Sequence, residues 1–192
     1  GLGAVVAHRL WKLRRGGFHE GVLLRKSGLV VRWARASDCE SILGMIRELA
    51  EFEGEANQVN MTVEILRKDG FGKEPRFLCM VGEVEDRVVA YALGFYVYST
   101  WEGLSLYLED LYVQQDQRGS GIGLAMLESF IGHAQKKDCA RVQWQALDWN
   151  QKAIGFYLEV VGARERTETG NAKWSNFIMG RDEIQSFLAK CA

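Results

Sequence analysis

Apolar positions along this chain switch between two periods, and the switches mark its elements. Leu29-Val30-Val31-Arg32-Trp33 is a short β-rich run. Ile42, Leu43, Met45, Ile46, Leu49 and Phe52 then recur at helical spacing, with Ser37 or Asp38 as the expected cap. Thr62 caps a shorter helix through Leu66 that ends near Gly70. Residues 77–84 and 88–97 read as two strands with a turn centred near Glu85-Asp86, and 104–113 as a third. Ile122, Met126, Leu127, Phe130 and Ile131 mark a helix that stops near Lys137-Asp138. Residues 141–147 read as another strand, and Asn150 precedes a helix to about Val160. Residues 177–179 close a last strand, and Asp182 with Gln185 signals a C-terminal helix. The order β-α-α-β-β-β-α-β-α-β-α predicts one α/β (α+β) domain.

Composition narrows the class. At 192 residues, 47% hydrophobic and 26% charged, the chain has ample apolar side chains for a core. No run approaches about 18 uncharged apolar residues, so no membrane span is expected. Charge is uneven: residues 1–32 carry net +6, which leaves −7 on the remainder of a chain whose total is −1. An acidic body suits a cationic small substrate and argues against nucleic acid as partner. Residues 1–28 are basic and acid-poor, in the manner of a mitochondrial transit peptide. They are read as an extension (disordered, non-native or targeting), with 29–192 as the folded domain. The cytoplasm is the expected location, and a mitochondrial one the alternative. Four cysteines without C-x-x-C spacing and three histidines predict reduced thiols and no metal site.

The strongest local signal is Arg118-Gly119-Ser120-Gly121-Ile122-Gly123, between a strand and a helix. Glycines there permit positive φ and close backbone approach. Successive N–H groups then face one concavity at the positive end of the helix, which suits a phosphate or pyrophosphate. Arg118 would add a cation. A Walker loop is excluded, because Leu124 and Ala125 follow Gly123. The G-x-G-x-x-G fingerprint fails in both registers, since Leu124 or Met126 stands where its third glycine belongs. R-x-x-G-x-G remains, and taken alone it also fits a Gly-rich turn without ligand.

Context adds specificity. The spacing from Val113 to Gly121 resembles motif A of the GNAT acetyltransferases, the N-acetyltransferase superfamily that uses acetyl-CoA. The resemblance runs from about Val31 to Ile184. It narrows to the spermidine/spermine (diamine) acetyltransferases on several strings. These are Arg47-Glu48-Leu49-Ala50-Glu51-Phe52-Glu53, Asp69-Gly70-Phe71-Gly72, Tyr98-Ser99-Thr100-Trp101, Tyr107-Leu108-Glu109-Asp110 and Leu147-Asp148-Trp149-Asn150. The Tyr-Ser-Thr-Trp and Leu-Asp-Trp-Asn strings resemble the second branch, associated with thialysine and related amines.

The resemblance implies a GNAT fold: a mixed central sheet flanked by helices, with two strands parting in a V to take acetyl-CoA. Backbone groups of Leu111, Tyr112 and Val113 would pair with the pantetheine arm, and an N–H there would polarise the thioester carbonyl. The pyrophosphate would lie on Gly119, Ser120, Gly121, Ile122, Gly123 and Leu124. Asn150 matches a cofactor-contacting Asn and equally suits a helix cap; the two roles can coexist. Tyr157 matches the Tyr that protonates the departing CoA thiolate, and a phenol of pKa about 10 is a donor near neutral pH.

The acceptor must lose a proton before it attacks. An alkylammonium of pKa about 10.4 is neutral about once in 2,500 molecules at pH 7, a cost of about 4.6 kcal/mol. Glu109 matches the family carboxylate that binds the amine and takes its proton through water. Asp110 adjoins it, and on a regular strand the two would face opposite ways. Phe52, Glu53, Trp101 and Trp144 match positions near the amine. Glu53 would hold a distal ammonium and Trp101 would offer a cation–π face, though either Trp also suits plain packing. Two departures, the short hairpin at 83–88 and the segment 167–174 with Lys173, fall where acceptor choice is expected to differ. Direct attack on bound acetyl-CoA is expected, because no Cys-His arrangement supports an acyl-enzyme. A homodimer follows from the resemblance alone. The alternatives are a peptide or protein lysine acetyltransferase and a non-catalytic acyl-CoA-binding module, which would need neither Tyr157 nor Glu109.

Overall fold

The computed structural model describes residues 21–165, 179–180 and 182–185. The chain divides into two compact units, residues 1–147 and 148–192. Among the described residues of the first, six strands form one sheet in sequential order: β1 (Val22–Lys26), β2 (Leu29–Trp33), β3 (Leu78–Val84), β4 (Arg87–Ser99), β5 (Gly103–Val113) and β6 (Arg141–Gln143). Neighbours run antiparallel except β5 and β6, which are parallel. Helices α1 (Cys39–Phe52), α2 (Val63–Phe71) and α3 (Ile122–Lys136) complete the unit. This is the mixed, helix-flanked sheet expected above.

Strand β1 lies inside the basic segment that the sequence reading set apart. Ser27 and Gly28, at φ 48 and 83, turn it back onto β2, so the boundary at residue 28 falls within a hairpin. Arg25 and Lys26 follow Val22-Leu23-Leu24 there, and the alternation is too short to announce a strand. Glu85 and Asp86, at φ 49 and 60, form the second such turn at the expected place. Strand β6 stops at Gln143 rather than Leu147. Residues 167–174 and 177–178 of the expected last strand lie outside the described residues, and 182–185 are helical.

Alternation on the central strands sends side chains to two faces. Cys79 and Val81 of β3 and Tyr91 and Leu93 of β4 meet Ile42, Leu43 and Met45 of α1 and Leu66 of α2 in one buried cluster. The other face takes α3 through Met126, Leu127 and Phe130, each buried and contributing roughly 1.5–3 kcal/mol. Two glycines let α3 lie close. A methyl group at Gly82 would stand 3.1 Å from Met126 Sδ, and one at Gly94 would stand 2.5 Å from the Phe130 ring. Arg32 is buried on β2 and neutralised by Asp38 and Glu83, each at 2.7 Å, as a charge out of water requires. Asp38 also accepts from the Arg35 amide at 2.7 Å, which shapes the entry to α1. Thr62 caps α2, its hydroxyl accepting from the Ile65 amide at 3.3 Å.

The second unit holds α4 (Gln151–Gly155) and a π-helical turn, Phe156–Val160. The Asn150 side chain caps α4 by accepting from the Ala153 amide at 3.2 Å. Among the described residues no helix is long and apolar enough to cross a membrane.

Candidate active site

Strand β6 pairs with β5 only at Arg141, Val142 and Gln143, opposite Ser105, Leu106 and Tyr107. From Leu108 to Val113, β5 runs on, paired among the described residues with β4 alone. Alternate N–H and C=O groups of that stretch point to the edge that β6 has left. Leu111, Tyr112 and Val113 lie on this edge, and Trp144 follows the last paired residue of β6.

The same stretch carries a bulge. Leu93 pairs with Asp110 and Gly94 with Leu108, so Glu109 is the extra residue. Alternation shifts by one across it. Leu106 and Leu108 are buried on the α3 side, whereas Asp110, opposite Leu93, faces the α1 side together with Tyr112, opposite Tyr91. Glu109 is left exposed, and Asp110 is half-buried. Asp110 accepts a hydrogen bond from the Tyr91 hydroxyl at 3.0 Å. Burial pushes the Asp110 carboxyl up to about 6; the bond from Tyr91 opposes that rise, and the charges of Glu109 and Glu53 add to it. Glu53, at the C-terminal cap of α1, is itself raised by burial and by Glu55. These carboxylates repel one another, a cost that a bound cation relieves.

Beyond β5, a 3-10 turn (Gln115–Gln117) leads into the glycine loop. Gly119 and Gly121 sit at φ 81 and 84, a region costly for other residues. Gly121 is the cap of α3 and offers no side chain, and no acid lies in the first turn. The first helical bond runs from the Ala125 amide to the Gly121 carbonyl at 3.1 Å. The amides of Ile122, Gly123 and Leu124 therefore have no acceptor within the helix, and with its dipole they fit a diphosphate. The Ser120 hydroxyl donates to the Gln117 carbonyl at 2.6 Å and so shapes the loop. Arg118 reaches back along β5. Its Nε donates to the Val113 carbonyl at 2.8 Å, and its Cζ lies 5.2 Å from the Tyr112 ring centre and 5.7 Å from that of Phe52.

The first unit thus gathers Phe52, Glu53, Glu109, Asp110, Tyr112 and Arg118 around the end of β5. It does not bring Trp101 to them. Trp101 is 89% exposed in the turn between β4 and β5. That turn lies at the opposite end of β5 from Asp110, roughly 25 Å of strand away. Asn150 and Tyr157 belong to the second unit, where Tyr157 sits in the π-helical turn with its ring centre 5.4 Å from that of Phe156. Burial raises its phenol above the ordinary value. Sequence reasoning missed Tyr91 and Glu48, the hydrogen-bond partners of Asp110 and Tyr112. Tyr91 stands in none of the quoted strings, and Glu48 stands in one, Arg47 to Glu53, that gives it no role; strand pairing and helix docking create both contacts. Among the described residues no three His, Cys, Asp or Glu side chains converge as a metal set.

Comparison with known proteins shows what the chain is similar to in sequence and in fold. The acetyltransferase (GNAT) family model matches residues 42–163. The thialysine N-epsilon-acetyltransferase of Mus musculus is 43% identical over 155 residues, 77% of this chain and 89% of that protein. The spermidine/spermine N(1)-acetyltransferase-like protein 1 of Homo sapiens is 35% identical over 161 residues, 80% of this chain and 23% of that protein. Among solved structures, an aminoglycoside acetyltransferase from an uncultured soil metagenomic sample aligns with TM-score 0.63 at 19% identity. That alignment covers 77% of this chain and 97% of the other, and it is a likeness of fold.

Proposed function

We propose an acceptor and a mechanism from one premise: this chain belongs to the acetyltransferase (GNAT) family and is an acetyl-CoA-dependent N-acetyltransferase. The acceptor is the primary amine of a small diamine or of a thialysine-like amino acid. The relatives named for thialysine and for spermidine/spermine support this choice. The observation that carries it is the bulge at Glu109, which sets an exposed and a half-buried carboxylate side by side on the strand that β6 leaves.

Acetyl-CoA supplies the acetyl group as an activated thioester. Leu111, Tyr112 and Val113 offer backbone groups to its pantetheine arm, the amides of 119–124 suit its diphosphate, and Asn150 adds a contact. Glu53, Glu109 and Asp110 bind the cationic acceptor. Glu109, exposed, relays the amine proton through water to solvent; the roughly 4.6 kcal/mol cost of a neutral amine at pH 7 remains part of the barrier. Asp110, held by Tyr91, supplies a fixed negative charge. The neutral nitrogen forms its bond to the acetyl carbon as the carbon–sulfur bond breaks, Tyr157 gives its proton to the sulfur, and the second proton of the nitrogen, released as the amide forms, returns through water to the Tyr157 phenolate. The transfer to sulfur is about 2 kcal/mol uphill at ordinary phenol and thiol values, and the burial that raises the Tyr157 phenol adds to this. The reading includes a homodimer with acceptor sites near the subunit boundary. Tyr98 and Trp101, 75% and 89% exposed, are side chains such a boundary would cover.

The test is thiol release from acetyl-CoA with thialysine, lysine, putrescine, spermidine, spermine and a lysine peptide as acceptors. Turnover on a free amine, with the peptide inert, is expected. Turnover on the peptide alone would replace this acceptor with a protein lysine. Acetyl-CoA binding with no turnover on any amine would favour a binding module.

A further inference from the structure

We infer that Arg118 is a positioning residue that ties the diphosphate loop to the wall of the acceptor site, rather than an anion contact alone. The inference deepens the N-acetyltransferase reading, and its kinetic arm rests on that reading.

Arg118 immediately precedes Gly119, the first residue of the loop at positive φ. Its side chain is engaged in three ways, all directed back at β5 and α1. Nε donates to the Val113 carbonyl at 2.8 Å, at the end of β5. The guanidinium carbon lies 5.2 Å from the Tyr112 ring centre on β5 and 5.7 Å from the Phe52 ring centre on α1. The Tyr112 hydroxyl in turn donates to Glu48 Oε2 at 3.0 Å. Glu48 and Phe52 are four residues apart on α1 and so share a helix face. Glu53, the carboxylate that bears on Asp110, follows Phe52 directly.

One planar cation therefore bridges a strand ring and a helix ring, and the strand ring is latched to the same helix. Arginine suits this place because it combines a flat face with an Nε–H; lysine has the charge and neither of the others. If the bridge fails, the last turn of α1 loosens, and Phe52 and Glu53 lose their fixed place beside Asp110. The amides of Ile122, Gly123 and Leu124 belong to the first turn of α3, whose place is set by the burial of Ile122 and Met126, so they depend on the bridge less than the last turn of α1 does.

The experiment compares the full chain with Arg118→Lys and Tyr112→Phe. Three quantities are measured: acetyl-CoA Kd by calorimetry, amine KM at saturating acetyl-CoA, and amide hydrogen exchange in residues 49–53. Arg118→Lys is expected to keep Kd within about twofold and raise amine KM about tenfold, the loss of one hydrogen bond and a stacked cation. Tyr112→Phe keeps the ring and loses the bond to Glu48, and is expected to raise amine KM about threefold with Kd unchanged. Exchange in 49–53 is expected to speed up in both. A Kd weakened tenfold or more by Arg118→Lys, with KM and exchange unchanged, would overturn the inference and leave Arg118 an anion contact. Should Arg118→Lys not fold, unchanged KM and exchange in Tyr112→Phe overturn it equally. If the parent chain turns over no amine, the acceptor reading fails separately, and the exchange measurement alone decides: faster supports the bridge, unchanged overturns it.

Discussion

Replacing Asp110 with asparagine should stabilise the protein, and by an amount that depends on pH. Asp110 is raised from an ordinary 3.8 to about 6, first by burial and then by Glu109 and Glu53. A carboxyl whose pKa is higher folded than unfolded gives up stability as pH rises. Below about pH 4 it is protonated in both states and costs nothing; between about pH 4 and 6 the folded state holds the extra proton, and the cost grows; above about pH 6 it is complete. A shift of about two units corresponds to about 3 kcal/mol, and partial exposure reduces the usable figure to about 2 kcal/mol. The substituted amide is neutral throughout, and its Oδ1 can still accept from Tyr91. About a third of that cost is already present at about pH 4.5, so urea unfolding of both proteins at about pH 4.5 and about pH 8 should show the variant gaining about 1.3 kcal/mol between the two conditions, or roughly 3–5 °C in melting temperature. The reverse side is functional: a cationic acceptor should raise the melting temperature of the parent more than that of Asp110→Asn, and the variant should show a higher amine KM. A stability difference that stays flat from about pH 4.5 to about pH 8 would refute the argument that Asp110 is held at a cost.

Three further outcomes are expected. Tyr157→Phe should cut turnover by roughly 10²–10⁴-fold, the usual worth of a general acid, with acetyl-CoA Kd nearly intact; equal turnover removes Tyr157 from the proton transfer. Gly121→Val should weaken acetyl-CoA binding at least tenfold and cost roughly 1–3 kcal/mol of stability, since φ at this position is 84; calorimetry and melting read the two effects, and normal Kd rejects the loop as the diphosphate site. Gly94→Ala should destabilise by roughly 1–3 kcal/mol or more, because the new methyl would collide with the Tyr107 backbone carbonyl and with the Phe130 ring, and denaturant unfolding at neutral pH checks it.

Much of the fold was legible because it rests on local chemistry. Apolar spacing located α1 and α3, Thr62 marked the start of α2, and Glu85-Asp86 marked a turn that the backbone does make. The glycines of the loop were readable as such because positive φ at Gly119 and Gly121 is a property of those residues themselves. Strand β1 was not legible: its five residues have too little alternation, and it exists by pairing with β2. Trp101 shows the same limit. Its string placed it with the acceptor residues, but within one chain the length of β5 separates it from Asp110.

By itself the sequence determined the order of the elements from β2 to α3 and the glycine loop that leads into α3, and it supplied the candidates for acid, base and ring chemistry. These follow from side-chain period and backbone freedom, which act over a few residues. Only the tertiary structure decided where β5 parts from β6, that Glu109 is the bulged residue, that Asp110 turns toward Tyr91, and that Arg118 lies between Phe52 and Tyr112. Each of these depends on register between strands or on a helix laid against the sheet. Shifting a strand by one residue reverses every side chain on it, and nothing in the local string around Glu109 states that shift.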